Sequence, residues 1–123
     1  MSPEIGSSRQ FIERRGGPAY DWDQTTLILD SIAHILDLSS IVPIGAVWVK
    51  FHLIITASPS PRIFQLLNNP SINFNWSAYG VTRGTPSIAN LELFLKLSSP
   101  QSCYYLVQTG ITALTVRVLG WML

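Results

Sequence analysis

From Ala46 to Thr56 the chain alternates. The odd positions read Val47, Val49, Phe51, Leu53 and Ile55; the even ones read Ala46, Trp48, Lys50, His52, Ile54 and Thr56. One column is wholly apolar and the other carries every polar side chain, the period of two that a strand with one buried face requires. β-Branched and aromatic residues dominate it, as a pleated surface favours. The segment is therefore a long strand. Pro43-Ile44-Gly45 is the turn that feeds it, from a shorter strand around His34 to Leu38.

The stretch Leu36–Ile55 is also the most apolar of the chain, which raises a membrane span as the rival reading. A span needs about 20 mostly apolar residues. Pro43, Lys50 and His52 interrupt this run, and a central charge costs about 2.5–3.5 kcal/mol. No membrane partner is expected. The N-terminal "MSPEIGSSRQFIERRGG" lacks an apolar core, so a secretory signal is not expected either.

Two further segments share the alternation. Leu91, Leu93, Leu95 and Leu97 face one way, against Glu92, Phe94 and Lys96; Leu114, Val116 and Val118 oppose Thr115, Arg117 and Leu119. Weaker strands are expected at Thr25–Leu29, Arg62–Leu66, Asn73–Ser77 and Ser102–Gln108. The connectors "ASPSPR", "LNNPS", "YGVTRGTPS" and "SSPQS" are turn-rich, and proline cannot donate to a ladder. About eight strands with this punctuation predict an all-β fold, an antiparallel β-sandwich or small barrel. "DSIAHILDL" offers the one helical alternative, with Ile32, Ile35 and Leu36 on one side. Residues 1–20 differ in kind. Broken by Pro3, Gly6 and Gly16-Gly17-Pro18, they read as an extended N-terminal arm outside a domain of residues 21–123, with Phe11, Ile12, Arg14 and Arg15 docking on a partner.

Charge narrows the partners. Of 123 residues 47% are apolar and only 12% charged, with a net charge of +1, about half the usual charged share. Such a field does not draw in nucleic acid. Arg9, Arg14 and Arg15, diluted by Glu4 and Glu13, make a poor phosphate tract. Trp48, Ile54, Phe94 and Leu119 fall on outward columns, where together they form a patch that a lone monomer rarely tolerates. They are read as an oligomer interface.

With these elements placed, "LDLSSIVPIGAVWVKFHL" and the C-terminal "ALTVRVLGWML" resemble the small jelly-roll-like domains of tailed-bacteriophage virion proteins. The matching residues are Asp37, Leu38, Ser39, Ser40, Val42, Pro43, Gly45, Ala46, Gly120 and Trp121; Ser58 to Ser102 matches no named pattern. The resemblance implies a jelly-roll-like sandwich and a non-enzymatic role as a decoration, cement or head-spike-base subunit. It further implies a homotrimer on the phage head surface, with the major capsid protein as partner.

Sites of chemistry are few. His34 and His52, the two histidines, are expected to be structural rather than metal ligands with Asp37. Ser39, His34 and Asp37 lack a nucleophile elbow, and Asp37 with Ser39-Ser40 is expected to bond the backbone where the strand ends. "YGVTRG" lacks the ending of a phosphate loop and reads as a turn. Asn75-Trp76-Ser77 is read as a chance match to the glycosylation sequon. Cys103, the one cysteine, is expected in the core. No catalytic, metal or cofactor residue is assigned. Trp76, Tyr79 and Arg83 provide the alternative function, a receptor- or glycan-binding fibre tip.

Overall fold

The computed structural model describes residues 10–57, 62–69, 77–81 and 87–123, with side chains at all of these but 77–81 and Ser87. Nine strands form among them: β1 (Phe11–Glu13), β2 (Trp22–Asp23), β3 (His34–Asp37), β4 (Trp48–Ala57), β5 (Ile63–Leu67), β6 (Ser77–Val81), β7 (Ser87–Lys96), β8 (Ser102–Val107) and β9 (Ile111–Met122). Every pairing is antiparallel. One sheet runs β1-β9-β4-β7, with β2 also on β9; the other runs β3-β8-β5-β6. No helix occurs among the described residues, so none is long and apolar enough to cross a membrane.

The alternation explains the layers. Val49, Phe51, Leu53 and Ile55 of β4 and Leu114, Val116 and Val118 of β9 bury one face of the first sheet. They meet Leu36 of β3, Phe64 and Leu66 of β5, and Cys103, Tyr105 and Val107 of β8 in a single cluster. Each such side chain contributes about 1.5–3 kcal/mol of transfer free energy. The result is an all-β, sandwich-like body. Pro43 does begin a turn, closed by the Ala46 N–H donating to its carbonyl at 3.1 Å. That turn carries the chain from one sheet to the other, since β3 and β4 do not pair.

Several expectations are corrected. Thr25–Leu29 forms no strand: the Asp23 carboxylate accepts the Thr25 N–H at 2.8 Å and its hydroxyl at 2.6 Å, curling the chain into a turn. Of the strand expected at Asn73–Ser77 only Ser77 is described, as part of β6, which runs on through Tyr79-Gly80-Val81 where a connector is expected; residues 73–76 lie outside the described residues. β7 starts at Ser87 rather than Leu91. The "DSIAHILDL" segment turns at Ser31 (φ 64°) and enters β3.

β9 also breaks its own period. Lys50 faces Gly120 while Phe51 faces Val118, so Leu119 is an extra residue and the strand bulges there. After the bulge Trp121 turns inward and packs against the core.

The expected arm also begins earlier as structure. Phe11–Glu13 pairs with β9 at Met122, Trp121 and Gly120, and β2 pairs with the same edge at Val116 and Thr115. β1 and β2 are thus one edge strand interrupted by a loop. At the loop's base Arg14 Nη1 and Nη2 donate to Asp21 Oδ2 and Oδ1 at 2.7 and 3.0 Å. Arg14 Nη1 also reaches the Val118 carbonyl at 3.1 Å, and Asp21 Oδ2 accepts the Val118 N–H at 2.8 Å. Two side chains thereby satisfy the ladder groups that the departing backbone leaves open.

Candidate functional site

The outer face of the first sheet is where the chain's unusual residues gather. Its rows follow from register: Phe94–Lys50–Gly120, Glu92–His52–Arg117 and Asn90–Ile54–Thr115 run across β7, β4 and β9. Trp48 stands between Lys96 and Met122. Phe94 is 47% exposed and Ile54 38%; Trp48 and Leu119 are half-buried on the same face.

Gly120 shapes this face. A side chain there would run into the Ile12 carbonyl and the Phe11 ring. Because there is none, Phe11 reaches from the sheet edge across β9 and meets Phe94 edge-on, with ring centroids 6.1 Å apart. Lys50 Nζ lies 5.6 Å from the Phe11 ring and 5.5 Å from the Phe94 ring. It also pairs with Glu92 Oε1 at 3.0 Å. Beside this cluster is a shallow hollow of about 230 Å³, lined in part by Phe11, Glu13, Lys50, Arg117 and Leu119. A second hollow of about 230 Å³ surrounds Ile54, with Tyr20, Gln24 and Thr115 at its rim. Aromatic and aliphatic surface ringed by paired charges suits contact with another protein surface.

The residues assigned to the arm are placed by the same geometry. Phe11 lies on the chain's own Phe94, and Arg14 is engaged by Asp21 with only 13% of its side chain exposed. Ile12 pairs with Trp121, and Arg15 is exposed. Arg9 lies outside the described residues. So do Trp76 and Arg83; Tyr79 is described only as a backbone position of β6, opposite Gln65. The structure therefore assembles no glycan site from the described side chains.

The histidines are apart. His34 Nε2 meets both Asp30 oxygens at 2.9 and 3.0 Å, at the edge of the second sheet. His52 Nε2 meets Asn90 Oδ1 at 2.8 Å on the outer face of the first. Asp37 Oδ1 accepts the Ser39 N–H at 2.9 Å, so Ser39, His34 and Asp37 are not joined in a relay. The hydrogen bond that Asp30 accepts from His34, and those that Asp37 accepts from Ser39, hold these carboxyls below their ordinary range. Cys103 is 1% exposed, and burial pushes its thiol up to about 12. Among the described residues, no three His, Cys, Asp or Glu side chains gather as a metal site would need.

Sequence reasoning missed the part Phe11 plays on this face. The signal that could have found it is Gly120, because a glycine inside a strand marks a bulge or a close approach; here it marks both. No protein-family model, curated protein or solved structure matches this chain.

Proposed function

We propose that this chain is a non-enzymatic structural subunit of a virion, an oligomeric decoration or cement protein that joins its neighbours through the outer face of the five-stranded sheet. The observation that carries the reading is that face itself: Phe11, Ile54, Ile88 and Phe94 are each more than a third exposed on one side of one sheet. Covering them stabilises an assembly by the same transfer term that holds the core. The described part of the arm contributes Phe11 to this surface rather than extending away from it.

The strand order supports reading the fold as a jelly roll. From β2 onward the strands interleave as β2-β9-β4-β7 and β3-β8-β5-β6, with β1 an added edge piece. Double-sheet jelly rolls serve in capsids and in lectins. The resemblance of the Asp37–Ala46 and Gly120-Trp121 segments to tailed-phage virion domains favours the first.

Light scattering of the purified chain tests the assembly. The wild type is expected to run as a defined oligomer, and Ile54→Asp as a smaller species with an unchanged circular-dichroism spectrum. A wild-type monomer would remove the support for this reading. Mass spectrometry of purified particles tests the virion assignment, and glycan-array binding abolished by Trp76→Ala would instead promote the fibre-tip alternative.

A further inference from the structure

β7 is the longest of the strands that end a sheet. Among the described residues it forms a ladder with β4 along its whole length and with no other strand, although β6 of the second sheet comes close to it. Ladder groups without a strand partner, in a strand that holds no proline, form a template for another strand. Its two faces differ: Glu92, Phe94 and Lys96 are exposed on the outer one, while Leu91 and Leu93 are half-buried on the inner one. The inner leucines thus keep apolar surface uncovered at the edge.

The spacing of these residues selects a partner. When a strand pairs antiparallel with its own copy, a two-fold axis passes through one residue, and residues equally far on either side face each other. An axis at Glu92 sets two carboxylates opposite, and one at Lys96 sets two ammonium groups opposite. An axis at Leu93 puts Glu92 against Phe94; one at Leu95 puts Phe94 against Lys96. Only an axis at Phe94 brings Glu92 of each copy opposite Lys96 of the other. That register also sets Phe94 against Phe94, and on the inner face Leu93 against Leu95 and Leu91 against Leu97. Opposite charges and aromatic pairs facing across strands are the stabilising combinations, and like charges the destabilising ones. Glu92 is reachable, its side chain 55% exposed; it holds Lys50 through Oε1 and has a second oxygen to offer.

We propose that two copies of this chain join edge to edge along β7, antiparallel about a two-fold axis at Phe94, and continue the five-stranded sheet across the pair. This rests on the reading that the chain self-associates, and it adds an edge contact along β7 to the contact through the outer face. It sets a two-fold contact in place of the three-fold assembly that the family resemblance implies.

Disulfide trapping and charge reversal test it. Residues facing each other at the axis have Cβ atoms roughly 5 Å apart, so Phe94→Cys should give a covalent dimer under mild oxidation. Asn90→Cys, displaced along the strand, should not. The buried Cys103 provides little background. Lys96→Glu should weaken the dimer about tenfold by setting Glu92 against glutamate twice, and Glu92→Lys/Lys96→Glu should restore it. Circular dichroism and thermal melting check that each variant is folded. An oligomer that neither crosslinks at F94C nor responds to K96E overturns the β7 edge while leaving self-association standing. A wild-type monomer overturns both.

Discussion

In the clasp between Arg14 and Asp21 one carboxylate receives both guanidinium nitrogens and the Val118 N–H. The side chains are 13% and 6% exposed, so removing either leaves the other charge poorly solvated. Asp21→Ala is expected to destabilise the fold by about 3 kcal/mol, the range for breaking a buried pair rather than a surface one. Denaturant midpoints at unchanged slope would measure it; a loss no larger than that of an exposed pair would show that the clasp is ornamental. The exposed aspartates act differently. Asp30 is held low chiefly by its hydrogen bond from His34. A carboxyl that ionises more readily folded than unfolded stabilises the fold fully above its ordinary value of 3.8. That contribution disappears as the pH falls through this value and below it. Asp30→Asn should therefore flatten the decline of melting temperature below about pH 4. An identical acid limb in the variant would contradict this.

Among the elements, β1 is lightly held. Three ladder pairs bind it to β9, and the Phe11–Phe94 contact adds about 0.5–1.5 kcal/mol. The Lys50 contacts to the two rings add about 0.5–1 kcal/mol more at so exposed a site. Its place depends on Gly120, where any Cβ meets the Ile12 backbone as well as the Phe11 ring. A ring can swing away, but a paired backbone cannot. Gly120→Ala is expected to lift β1 off the sheet while the core strands stay folded. Hydrogen exchange would then show lost protection at residues 11–13 and retained protection across β4. Unchanged protection at Ile12 would mean that the strand accommodates the methyl group. β4 is the opposite case, paired on both sides and wholly apolar on its inner column.

At the scale of the whole molecule, the low charge and the alternating columns belong to one explanation. A two-sheet body of this size buries its inner columns in one cluster. Some of the apolar residues left over go to the outer columns and the sheet edge, where Ile54, Phe94 and Ile88 are found, and others, such as Ile32 and Ile44, to turns. Surfaces of this kind are relieved by association. The face contact and the β7 edge contact proposed above are two separate ways of covering such surface.

The sequence by itself determined the strands that alternate. Val49, Phe51, Leu53 and Ile55 could be assigned to one face because side chains on a strand obey a period of two whatever lies beside them. It also determined the outward placement of Trp48, Ile54 and Phe94, for the same reason. Only the tertiary structure decided which strands pair, because pairing depends on contacts between segments far apart in the chain. It made β1 and β2 one interrupted edge of β9, though the loop between them gave no periodic signal. It inserted Leu119 as a bulge, and so turned Trp121 inward against the period of the residues before it. It matched Arg14 to Asp21 and Phe11 to Phe94, pairs whose spacing in the chain carries no signal. Alternation is a local property, legible in a few residues; registry and pairing are set by the packing of the whole.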